Sequence, residues 1–123
     1  MARIFLVDDH LLMRQSYALL IAEDPALEIC GEAGSGHEAL TQIPHCTPDA
    51  VIIDISLAGE MSGIDLLKQL RVLRADLPVL IVSGHEESMY AERMLRLGAR
   101  GYLMKDQLEA FLPTLYRVLN GAT

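Results

Sequence analysis

Asp8, Asp9, Asp54, Ser83 and Lys105 are the residues of this 123-residue chain whose types could share one piece of chemistry. Each follows a short apolar run: Asp8 and Asp9 after residues 4–7, Asp54 after 51–53, Ser83 after 79–82, and Lys105 after 102–104. Brought together, the carboxylates would repel strongly. Two of them about 4 Å apart cost roughly 4 kcal/mol at an effective dielectric of ~20. One lysine does not balance three carboxylates, whereas a hard divalent cation with oxygen ligands, Mg²⁺ foremost, does. Mg²⁺ keeps waters and bridges to phosphate oxygens, so the set points to the binding or transfer of a phosphoryl group. Taken singly, each residue has an ordinary reading. Asp8 or Asp9 could cap a following helix, as could Ser83, Asp54 could face water at a strand end, and Lys105 could lie along the surface with its head solvated.

The elements that must position these residues can be read from periodicity. Apolar runs at 4–7, 27–30, 51–53, 79–82 and 102–104 read as strands, and several are rich in β-branched residues as strands buried on both faces are. Helical spacing lies between them. Met13, Tyr17 and Leu20 mark the first helix, Leu40 and Ile43 the second, and Leu66, Leu67, Leu70 and Leu73 the third. Ala91, Met94 and Leu95 mark the fourth; Leu108, Phe111, Leu112, Leu115 and Leu119 mark the fifth. Gly34-Ser35-Gly36 opens the second helix, Pro48 precedes the third strand, and Pro78 is expected to stop the third helix. Gly98 and Gly121 suit left-handed positions after the fourth and fifth helices. Pro113 falls inside the last helical pattern, where it either starts a new segment or kinks the old one. Five strand–helix alternations with short connections imply right-handed βαβ units and a parallel sheet. Ligands of such α/β folds bind beyond the carboxyl ends of the strands, where strand order reverses. If the first and third strands are neighbours, the acidic set, Ser83 and Lys105 meet at that edge.

Composition narrows the function classes. Hydrophobic residues make up 51%, enough for a packed core, and a net charge of −7 opposes binding to nucleic-acid phosphates. Cys30 and Cys46 form no C-x-x-C motif and read as two free thiols of a reducing compartment. The first apolar run is too short for a signal peptide or membrane span, so a cytoplasmic protein with no membrane partner is expected. His10, His37, His45 and His85 lack transition-metal spacing and read as surface or structural residues, with His10 and His85 flanking the acidic set.

The stretches "LVDDH", "PDAVIIDISL", "PVLIVSG" and "GARGYLMKD" occur in the order found in one family. The chain resembles a receiver domain of bacterial two-component response regulators, with the NarL/FixJ-type branch the most similar. The resemblance implies a three-layer, doubly wound (βα)5 fold of the flavodoxin-like, CheY-like type, with sheet order 2-1-3-4-5. It implies a single receiver domain over residues 1–123, with no output domain within them. Asp54 would be the phosphoacceptor. Asp8, Asp9, Asp54 and the backbone carbonyl of Ser56 would hold Mg²⁺, Asp9 most directly. Ser83 and Lys105 would bind the phosphoryl oxygens, and Ser83 and Tyr102 would be the switch residues. The donor would be a sensor histidine kinase. Enzymatic activity would be limited to Mg²⁺-dependent self-phosphorylation and autodephosphorylation at Asp54. DNA would be reached only through an output domain outside this chain. A homodimer would use the first and fifth helices, or the fourth helix and fifth strand.

Several positions depart from the family pattern. Ala58 stands where many receivers have proline, Glu60 looks inserted before Gly63, Ser56 replaces a frequent asparagine, and Asp106 replaces a frequent proline. A freer backbone beside the acceptor is expected from the first change. Three other readings remain at this stage: a stand-alone receiver acting through protein contacts, a receiver that binds partners without phosphorylation, and an aspartate-nucleophile phosphohydrolase. The last usually shows D-x-D-x-[TV] after its first strand, where this chain has Asp8-Asp9-His10-Leu11, and no cap insertion is present.

Overall fold

A computed structural model of the chain describes residues 1–57, 59–84 and 88–121; Ala58 and His85, both weighed above, lie outside them. The strands are β1 (Ala2–Val7), β2 (Leu27–Ala33), β3 (Ala50–Asp54), β4 (Val79–Ser83) and β5 (Gly101–Met104). The helices are α1 (Leu11–Ala22), α2 (Gly36–Cys46), α3 (Gly63–Leu73), α4 (Ser88–Arg96) and α5 (Phe111–Leu119). The strands form one parallel sheet in the order β2-β1-β3-β4-β5, as expected.

Side-chain alternation along the strands divides the core into two layers. Phe5, Val7, Val51, Ile53, Val79 and Ile81 pack with Ala39, Ile43, Leu66, Leu70 and Met94 on the side of α2, α3 and α4. Ile4, Leu6, Ala50, Ile52, Leu80 and Val82 pack with Tyr17, Ile21, Phe111 and Leu115 on the side of α1 and α5. The central strands are buried along their whole length, which is why they read as unbroken apolar runs.

Helix boundaries follow local chemistry. Ser35 caps α2, its Oγ accepting from the Glu38 amide at 3.2 Å. Ser62 and Asp65 form a capping box on α3, in which each side chain accepts from the other's amide. Gly98 and Gly121 have φ of +108° and +82°, the left-handed positions expected of them. α3 ends at Leu73, well before Pro78, which instead leads directly into β4. Pro113 resolves as the start of a new segment. A 3-10 turn spans Leu108–Ala110, α5 begins at Phe111, and Pro113 lies in its first turn, where a missing N–H breaks no helical bond. No helix among the described residues is long and apolar enough to cross a membrane.

The start of α3 sets the shape of the loop after β3. A Cβ on Gly63 would lie 2.7 Å from Ile55 Cα and overlap the Asp54 carbonyl oxygen. Gly63→Ala is therefore expected to lower stability by about 1–3 kcal/mol and to displace the backbone around Asp54. Urea unfolding checks the first effect. Loss of any stabilisation by added Mg²⁺ checks the second.

Candidate functional site

Register brings the acidic residues together. Leu6 pairs with Ile52 and Val7 with Ile53 across β1 and β3, so one step further along Asp8 stands beside Asp54. Both continue the row that faces α1 and α5. The Asp54 side chain is fully buried. Its Oδ1 accepts from the Ser56 amide at 3.1 Å and the Ser56 hydroxyl at 3.0 Å, and its Oδ2 accepts from Lys105 Nζ at 3.1 Å. The Lys105 side chain is only 17% exposed, and its ammonium also lies 3.7 Å from Asp8 Oδ2. The Lys105 amide donates to the Ser83 carbonyl at 2.8 Å, which holds the ends of β4 and β5 together beside Asp54. Ser83 is completely buried.

These contacts replace the ordinary readings of the single residues. Neither Asp8 nor Asp9 is the N-cap of α1; that residue is His10, without a side-chain cap. Asp8 Oδ1 instead accepts from the His10 amide at 2.8 Å in an Asx-turn. Ser83 ends β4 and does not adjoin α4, Asp54 does not face water, and the Lys105 head is engaged by carboxylates rather than by solvent alone.

His10 occupies a place its spacing did not reveal. Its Nδ1 lies 3.0 Å from Asp8 Oδ1, 3.1 Å from Asp9 Oδ1 and 3.6 Å from Asp54 Oδ2. The extended backbone of His10, φ −94° and ψ 107°, turns the ring back over the carboxylates. One imidazole nitrogen cannot satisfy three carboxylates in either tautomer. Asp8 Oδ2 is buried with no hydrogen bond. One potential ligand atom from each of Asp8, Asp9, His10 and Asp54 lies within 4.8 Å of the others. An orphaned buried oxygen among closely spaced hard donors fits a divalent cation. Burial, opposed by the His10 amide bond and reinforced by the charge of Asp54, holds the Asp8 carboxyl above the ordinary carboxylate range.

The loop after Asp54 is described except for Ala58. Gly59 has φ of +101° with open space where a Cβ would be, and Glu60 is exposed. Tyr102 is half-buried on β5 against the core layer of α2, α3 and α4, and its hydroxyl is buried without a hydrogen bond.

Tyr17 is a neighbour of the site that helical spacing alone marked as core. Its ring stacks on Phe111 with centroids 4.8 Å apart. Its hydroxyl is buried without a hydrogen bond, in a space shared with Asp8 and Asp54 that is too small for water. Burial first, then the charges of Asp8 and Asp54, drive the phenol pKa far above its usual value. Tyr17→Phe keeps the stack and removes the unsatisfied group, so it is expected to raise stability by about 1 kcal/mol in urea unfolding. The signal for Tyr17 was its position on the buried face of the helix that follows the acidic pair.

Comparison with known proteins assigns this architecture. The family described as the response regulator receiver domain matches residues 4–116. The transcriptional regulatory protein UhpA of Salmonella typhimurium is 36% identical over 119 residues, covering 94% of this chain and 59% of that protein. The DNA-binding transcriptional activator DevR/DosR of Mycobacterium tuberculosis is 36% identical over 106 residues, covering 86% of this chain and 48% of that protein. A two-component response regulator of the LuxR family from an Aurantimonas species superposes with a TM-score of 0.93 at 32% identity, covering 99% of this chain and 87% of that one. The signal receiver domain of a NarL response regulator from Mycobacterium tuberculosis gives 0.89 at 27% identity, covering 98% and 97%. This chain belongs to the response regulator receiver domain family of two-component systems, and its relatives are of the NarL, UhpA and DevR type. It spans about half to three-fifths of the length of the curated relatives it matches.

Proposed function

We propose that residues 1–123 form a single receiver domain that accepts a phosphoryl group on Asp54 from a phosphohistidine of a sensor histidine kinase. The observation that carries this reading is the fully buried Asp54 carboxylate, with Lys105 Nζ 3.1 Å from one oxygen and Ser56 donors on the other. An Asp54 oxygen attacks phosphorus, the phosphorus–nitrogen bond breaks, and the histidine imidazole leaves. Such transfer depends mainly on positioning and charge neutralisation. Lys105 follows the transferred oxygens, and the Ser83 hydroxyl donates to them. Asp8, Asp9, Asp54 and the Ser56 carbonyl would hold Mg²⁺, which when bound neutralises the charge on the phosphoryl oxygens.

Phosphorylation places about −1.5 to −2 charges and new acceptors beside Ser83 and Lys105. These residues lie on β4 and directly after β5, so their movement carries the event toward α4 and Tyr102. The apolar side chains of Leu12 and Leu19, 74% and 69% exposed on the helix that leaves the cleft, offer the kinase or a second copy a docking face. The domain would act in the cytoplasm. Since its relatives are transcriptional regulators, we assign it control of a DNA-binding output carried outside these residues.

The test is incubation with acetyl phosphate and Mg²⁺. One hydroxylamine-labile phosphoryl group, mapped to Asp54, is expected, without turnover of a generic phosphate ester. Rapid ester turnover would favour a phosphohydrolase, and absence of labelling would leave a receiver that works through contacts alone.

A further inference from the structure

The fold brings together two cysteines that sequence spacing had set apart. β1 and β2 pair Ile4 with Ile29 and Phe5 with Gly31, so Cys30 is the extra residue of a β-bulge. Strand alternation puts Ile29 on the α1 and α5 layer and Cys30 on the opposite layer, where Cys46 ends α2. Cys46 Sγ donates to the Cys30 carbonyl at 3.4 Å. Gly31 leaves room for this contact, since a Cβ there would come within 2.9 Å of Cys46 Sγ. Arg3 anchors the end of α2, donating to the Cys46 carbonyl from Nε at 3.1 Å and Nη2 at 2.8 Å. Both cysteines are partly exposed, so a small oxidant can reach them.

We propose that Cys30 and Cys46 are a dithiol site that hydrogen peroxide converts to an intramolecular disulfide joining the edge strand β2 to α2. In the first step the Cys46 sulfur attacks one peroxide oxygen, the O–O bond breaks, and water leaves a sulfenic acid on Cys46. In the second, the Cys30 sulfur attacks the Cys46 sulfur and the S–O bond breaks. The departing hydroxide takes the Cys30 proton as a second water. The two thiols lose two electrons and peroxide gains them. Burial and the neighbouring Cys46 sulfur push the Cys30 thiol up to about 11, which leaves little thiolate there to initiate attack on peroxide. The site is independent of the acidic cleft.

The experiment treats the full chain with hydrogen peroxide and reads intact mass and free thiols under denaturing, non-reducing conditions. Wild type is expected to lose two hydrogens and both titratable thiols. Digestion should yield one peptide pair joined between Cys30 and Cys46, and dithiothreitol should reverse the change. Cys30→Ser should stop at a dimedone-trappable sulfenic acid on Cys46, whereas Cys46→Ser should keep its remaining thiol. Wild type that keeps both thiols, gains oxygen without losing hydrogen, or links only between chains would overturn the site. Oxidation of Cys46→Ser as fast as wild type would overturn the assigned order of attack.

Discussion

Asp54→Asn is expected to cut hydroxylamine-labile phosphoryl incorporation from acetyl phosphate to background, a fall of about two orders of magnitude or more, because the amide is no longer a nucleophile. The substitution keeps the size of the side chain, so the cleft has no reason to collapse. One oxygen can still accept from Ser56 or from Lys105, although not from both as the carboxylate does. The lost charge-assisted bond to Lys105 is offset in part by removing a carboxylate that faces Asp8. Stability should therefore stay within about 1 kcal/mol of wild type. Intact mass before and after hydroxylamine, with urea unfolding alongside, separates lost chemistry from lost fold. Undiminished labelling of the variant would move the acceptor to another residue.

The residues at the strand ends were legible because the physics that buries a parallel sheet also exposes its rim. Residues 51–53 and 79–82 are apolar without interruption, so the first polar residue after each had to lie at the edge where ligands bind. Side-chain direction was less accessible. The ring of His10 returns over the carboxylates through one extended residue, which no spacing rule encodes. The approach of Cys46 to Cys30 depends on how α2 packs against β2, which sequence spacing does not encode. β2 lies at the sheet edge and carries half-buried residues and Glu32, so its apolar run ended at Cys30 although the strand continues to Ala33. Pro44 shows the limit of breaker rules. α2 runs through it to Cys46, although a proline there has no N–H to give the helical ladder.

Asp8→Asn is expected to stabilise the metal-free protein at neutral pH while weakening its response to Mg²⁺, a change of sign that few structural substitutions give. Asp8 is 3% exposed, one of its oxygens has no hydrogen bond, and its charge faces that of Asp54. The native state therefore binds a proton on Asp8 more tightly than the unfolded chain does. With the folded pKa above the unfolded value, the contribution of Asp8 to stability is most favourable below the unfolded pKa. It is lost as pH rises through the folded one, and the cost is constant above that. An asparagine abolishes this slope and the charge repulsion, so a gain of about 1–2 kcal/mol is expected near neutral pH with chelator present. Mg²⁺ should reverse the order. It binds the native wild type and adds stability by mass action, whereas the variant has lost a carboxylate of the cluster and gains less. Urea unfolding of both proteins with EDTA and with Mg²⁺ reads the reversal directly. A variant less stable than wild type in EDTA would mean that Asp8 serves the fold itself; the crowded carboxylates would then not be a strain that the cation relieves.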